Sequence, residues 1–270
     1  MTQPTKKTVI GTSILLFIIV IALGNLYDII VRYTEFPTLT YQWIYVAMPA
    51  ITIIAFILFV KLTKSSLKKQ GYQKPQRIKT WICIVLAIVL VITYLVVIFM
   101  QSFFGTLGAF RFPTSPYSIA YRIVYALLFA LATESVFRGY IFRNLARNYG
   151  FFTSLYVSAI LFSVHQISLN EIVNTAYGDI PFYIFTRVVP LLAAGLFLGF
   201  FFYKTSWSLL GPLIFRIGTV FFFEPIPLLS VTSLWWVGVT FEMLAFAILI
   251  LAIDSIIQEP TFIRKKYGLD

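Results

Sequence analysis

Residues 133–168 read TESVFRGYIFRNLARNYGFFTSLYVSAILFSVHQIS. Two apolar runs meet at Gly150, with Glu134 and Arg138 in the first and His165 in the second. A glycine between two apolar runs marks a turn, so the runs are expected to be antiparallel helices. Glu134 lies 16 residues before Gly150 and His165 lies 15 after it. At about 1.5 Å of rise per residue, both reach nearly the same depth, roughly 23 Å from the turn. Arg138 follows Glu134 at i+4 and can pair with it along one helix face.

The whole chain extends this pattern. Of its residues 60% are hydrophobic and 11% charged, and apolar stretches long enough to cross a bilayer recur. A soluble domain would expose too much apolar surface, and a membrane barrel would alternate with period two where this chain shows continuous blocks. The expectation is an all-α, polytopic transmembrane helical bundle, forming a single integral membrane domain over residues 1–270. Candidate spans are 8–31, 41–60, 80–101, 118–137, 151–169, 182–203, 205–223 and 234–254. The short joint at Tyr203 to Thr205, with Pro190 and Pro212 in the flanking runs, leaves seven spans as the alternative to eight. The first run is too long for the apolar part of a removable signal and has no small-residue cleavage site, so it reads as the first span. Cys83, the single cysteine, lies in an apolar run and reads as a small buried hydrophobe.

Basic residues orient the bundle. Lys6, Lys7, the run of Lys and Arg from Lys61 to Lys79, Arg143, Arg147, Lys204 and Arg264 to Lys266 fall on one side of an eight-span arrangement. The positive-inside rule makes that side, with both termini, cytoplasmic in a multi-pass cell-membrane protein. Asp28, Glu35, Glu171, Asp179 and Glu224 mark the opposite side, with Arg32, Arg111 and Arg122 as exceptions. The net charge of +11 is then largely topological, and membrane lipid is the expected partner of the Lys61 to Lys79 segment. No nucleic-acid partner is expected, because no soluble domain or binding motif accompanies the charge. Trp43, Trp81, Trp207, Trp235 and Trp236 lie near span ends, where interfacial anchoring is their simplest role. Phe103 to Tyr117 is the longest flexible connection.

By the same depth count, Arg187, Arg216 and Glu242 join Glu134, Arg138 and His165 in one layer. Such a layer is either a set of buried ion pairs that fix helix register or a polar cavity that receives a ligand. A lone histidine in an apolar run is more often a hydrogen-bonded core residue than a ligand or a base.

The 133–168 stretch resembles the CPBP (CAAX protease and bacteriocin-processing, Abi) family of intramembrane proteases, with a family-like core over about 117–220. Its members carry EExxxR, then FxxxH, then HxxxN or HxxxD on successive helices. The resemblance implies that the first glutamate and the second-motif histidine activate a water, while the third motif binds metal or stabilises the oxyanion. This chain departs from that pattern at each motif. Registered on Arg138, Thr133 stands at the first glutamate position and only Glu134 remains. Registered on Phe162, Gln166 takes the histidine position, while registration on Leu161 restores His165. Registered on the GPLIF stretch, Arg216 and Val220 replace the two polar groups of the third motif. An arginine neither ligates zinc nor accepts a proton, and it repels a metal.

The expectation that follows is a CPBP-type pseudoprotease without a cofactor, serving as a membrane scaffold or regulator of a membrane or cell-envelope protein partner. One alternative is an active endopeptidase of the CAAX-processing or bacteriocin-processing type. There Glu134 and His165 are catalytic, Arg138 and Arg216 occupy motif positions, and zinc enters only if that reading holds. A second alternative is bacteriocin self-immunity.

Overall fold

The computed structural model describes residues 6–33, 38–63, 65–72, 84–93, 96, 116–167, 180–223, 243–251 and 253, and no strand occurs among them. The elements are α1 (Lys6–Tyr33), α2 (Thr38–Leu62), a 3-10 turn (Leu67–Gln70), α3 (Ile84–Thr93) and α4 (Pro116–Glu134). A π-helical segment (Ser135–Phe142), α5 (Arg143–Tyr149), α6 (Phe151–His165), α7 (Ile180–Lys204), α8 (Leu210–Phe223) and α9 (243–251) follow. Thr8–Leu26 and Ile119–Tyr149 are both long and apolar enough to cross a membrane. The architecture is the expected all-α membrane bundle.

Within lipid, helices gain little from burying apolar side chains against one another, so close contact and polar links must hold them together. The α6–α7 pair illustrates this. On α6, Ser154, Ser158, Ala159 and Ser163 face inward, while Phe152, Tyr156, Ile160 and Val164 point outward. On α7, Gly195 and Gly199 form a GxxxG pair on the facing side. A Cβ at Gly195 would lie 3.0 Å from the Ala159 backbone, and one at Gly199 would lie 2.5 Å from Leu155. At Gly195 a side chain would press on the α6 backbone, while at Gly199 the Leu155 side chain would have to swing aside.

One expectation about helix boundaries is corrected. The fourth span does not stop at residue 137: α4, the π segment and α5 form one rod that continues to Tyr149, so Arg143 and Arg147 stand on the helix rather than after it. Gly139 does not end the helix, because the widened π turns keep the backbone hydrogen-bonded through it. The chain turns only at Gly150, whose φ of 84° suits a residue without Cβ. The joint between α7 and α8 is a real turn, with Ser206 and Trp207 at φ of 61° and 62°. Trp207 is no interfacial anchor: it is 5% exposed and packs against Phe142, Phe202 and Tyr203. Trp43, by contrast, is 50% exposed. Cys83, Trp81, Trp235, Trp236, most of the Phe103 to Tyr117 connection and the C-terminal basic cluster lie outside the described residues.

Candidate functional site

Glu134 is the last residue of α4 and Arg138 lies in the π segment, and both are fully buried. Arg138 Nη1 donates to Glu134 Oε1 at 3.2 Å, and Arg138 Nη2 donates to the Gly195 carbonyl at 3.2 Å. The guanidinium also lies 4.1 Å above the Phe162 ring. Close packing at Gly195 brings the α7 backbone within reach of the arginine, so ion pair and helix crossing are parts of one contact. Glu134 Oε2 and Arg138 Nε find no hydrogen-bond partner among the described residues.

Arg216, on α8, comes to the same region but forms no ion pair with Glu134. Its guanidinium lies 5.3 Å from the Phe129 ring and 5.4 Å from the Phe162 ring, a cation held by aromatic faces. Phe162 therefore receives both arginines. Arg187 lies on α7 with its side chain outside the described residues, and Glu242 lies wholly outside them.

His165 ends α6 away from this pair. Its ring sits 5.3 Å from Phe137 and it borders a cavity of about 190 Å³ between α1, α2, α4 and α6. Thr133, Tyr125, Gln166, Asn25 and Thr52 supply the cavity's other polar side chains among the described residues. His165 and Gln166 both reach it, so either register of the second motif delivers a polar group to the same space. Glu134 does not line it. Adjacent residues on a helix diverge by about 100°, and here that rotation sends Thr133 into the cavity and Glu134 into the ion pair. The Thr133 hydroxyl already donates to the Phe129 carbonyl at 2.8 Å.

The cavity's chemistry among the described residues is thus one imidazole, two amides, two aliphatic hydroxyls and one phenol in apolar walls. This donor set does not make a zinc site, which needs three nitrogen, sulfur or carboxylate ligands. No three His, Cys, Asp or Glu side chains come together among the described residues.

A second polar contact was not visible in the sequence. The 65–72 segment folds back onto the π segment at the Gly150 end of the bundle. Ser66 caps the 3-10 turn, Gly71 closes it at φ of 95°, and Tyr72 and Ser135 share a hydrogen bond between hydroxyls. A Cβ at Gly139 would lie 2.7 Å from the Gln70 carbonyl oxygen. The Leu209 N–H donates to the Gly71 carbonyl at 3.2 Å, tying the segment also to the α7–α8 turn. Burial pushes the Tyr72 hydroxyl above its ordinary range, and the Ser135 hydrogen bond opposes that shift. The available sequence signal was a pair of small residues, Ser135 and Gly139, on a rod otherwise rich in bulky side chains.

Residues 115–222 match the family model described as Type II CAAX prenyl endopeptidase Rce1-like, of the CPBP family. The match covers the segment that holds Glu134, Arg138, His165 and Arg216. No curated protein matches the chain.

Proposed function

We propose that this membrane protein, Rce1-like over residues 115–222, is a catalytically impaired pseudoprotease. It acts as a scaffold or regulator of a membrane or cell-envelope partner, and it needs no metal. The observation that carries the reading is the division between two sides of one helix. The side facing the cavity presents Thr133 beside His165, and the carboxylate of Glu134 is held by Arg138 elsewhere. Water activation by a Glu–His pair requires both groups at the same water, within about 3 Å of their partners. Among the described residues, the His165 imidazole has no carboxylate in the cavity to share the proton or orient the nucleophile. Multi-pass insertion in the cell membrane with both termini cytoplasmic remains part of this proposal, supported by the basic residues at one end of the bundle.

One observation favours the peptidase alternative: an accessible space beside His165 and Gln166. That mechanism would require Glu134 to leave Arg138 and turn into the cavity. The two readings separate in cells carrying His165→Ala or Thr133→Val, each matched for expression. The pseudoprotease reading expects a stoichiometric partner to copurify with both variants as with wild type, and no membrane substrate to accumulate uncleaved. Accumulation of an uncleaved membrane protein in the His165→Ala strain would overturn it. Loss of protection against bacteriocins in a deletion strain, with no copurifying partner, would assign the chain to immunity instead.

A further inference from the structure

The fold assembles a basic surface from two segments far apart in sequence. At the Gly150 end of the bundle, Arg143 Nη1 donates to the Lys68 carbonyl at 3.3 Å and Arg147 Nη2 donates to the Lys69 carbonyl at 3.5 Å. These bonds hold the backbone of the 3-10 turn against α5. They also set the side chains of Lys68 and Lys69, both exposed, beside an exposed Arg147 and a half-buried Arg143. Carbonyl oxygens satisfy guanidinium hydrogens but remove no charge. The neighbouring sequence supplies none either: between Glu35 and Glu171 the only acidic residue is Glu134, which is buried against Arg138. Lys68, Lys69 and Arg147, close together at the end of a membrane bundle, repel one another, and the seated turn holds them together against that repulsion.

We propose that this surface is a binding site for the phosphate of an anionic phospholipid headgroup. A headgroup phosphate in the plane of the membrane surface meets Lys68 and Lys69 from the turn and Arg147 from α5 at once. Arginine supplies a planar pair of donors and the lysines supply compact charges. The phosphate offsets the repulsion and so favours the seated turn. The cation pair Lys68 and Lys69 lies on the segment expected to attract lipid, but the site itself exists only because α5 continues past residue 142.

The test uses the full chain in a neutral detergent, with native mass spectrometry reading the lipids retained. Short-chain phosphatidylglycerol, short-chain phosphatidylcholine and inorganic phosphate are the probes. Phosphatidylglycerol should be retained in preference to phosphatidylcholine, and its retention should weaken as salt rises. Each basic side chain near an anionic surface contributes about 1 kcal/mol, so Arg147→Gln should weaken retention about fivefold and Lys68→Gln with Lys69→Gln about 30-fold. Arg147→Lys, which keeps the charge but not the planar donor pair, should lose less than Arg147→Gln. Equal retention of the two lipids, or unchanged retention in the Lys68→Gln, Lys69→Gln variant, would overturn the site. Full displacement of phosphatidylglycerol by inorganic phosphate at equal concentration would overturn the lipid as its source and leave a free anion. If Arg147→Gln does not fold, the lysine pair carries the test, because both side chains are exposed.

Discussion

Replacing Arg138 by methionine probes the centre of the bundle. Glu134 and Arg138 have side-chain exposures of 0% and 1%, so the substitution leaves a buried carboxylate with no second cation within ion-pair distance among the described residues. Removing one partner of such a pair costs about 3–5 kcal/mol, and the loss of the second bond to the Gly195 carbonyl adds about 1 kcal/mol. The double variant Glu134→Leu, Arg138→Met removes both charges together. Its apolar side chains fill similar volume beside Phe162, so most of the single-variant loss should return, leaving a coupling of about 3 kcal/mol. Equilibrium unfolding in mixed micelles measures the cycle, and copurification of the partner measures function on the same variants. A coupling under about 1 kcal/mol would refute the view that this pair is a structural contact of the core. So would a double variant that folds like wild type but has lost activity, because the carboxylate would then be acting chemically.

Two further outcomes concern the seated 65–72 turn. Gly139→Ala places a Cβ 2.7 Å from the Gln70 carbonyl oxygen, so the turn or the rod must shift, at a cost of about 1–3 kcal/mol by the same unfolding measurement. An unchanged midpoint would show that the turn is not held there. Tyr72→Phe removes the hydroxyl contact with Ser135 and should cost about 1 kcal/mol. Because burial raises the Tyr72 pKa in the folded state, its contribution is complete below the unfolded value of about 10 and is lost as pH rises through the folded value. Stability of the wild type should therefore fall more steeply above about pH 10 than that of Tyr72→Phe, and parallel curves would contradict the burial of that hydroxyl.

The hairpin was legible because its signals are local. An i+4 spacing places Arg138 on the Glu134 face, and Gly150 stands where a positive φ is needed. Depth matching brought His165 level with α4, but it did not tell which α4 residue meets the histidine. That answer depends on helix rotation, which the packing of Ser158 and Ala159 against the rod and α7 sets: Ser158 donates to the Phe137 carbonyl at 2.9 Å. The π segment was illegible for a related reason. Nothing in SVFRGYIF demands wider turns, and its tertiary partners, Tyr72 and Ser158, lie 63 and 21 residues away from the atoms they bond. The cavity's walls from α1 and α2 were hidden too, since Asn25 and Thr52 stand singly in apolar runs.

Sequence alone made Glu134 and His165 a natural pair: equal depth, adjacent helices, no other histidine. Equal depth is a statement about one coordinate, whereas proton transfer depends on all three. In the folded chain Phe137 stands against the histidine ring, Thr133 faces the cavity, and Glu134 turns the other way to satisfy Arg138. The arginine in turn is held by a carbonyl that only the glycine crossing of α6 and α7 brings near. To free Glu134 for work in the cavity, the chain would have to abandon a buried charge pair and leave Arg138 with only the Gly195 carbonyl as its hydrogen-bond partner among the described residues. This coupling gives a physical reason to expect the carboxylate to remain where it is, and it makes Thr133, rather than the histidine beside it, the position on which the proposed loss of peptidase chemistry turns.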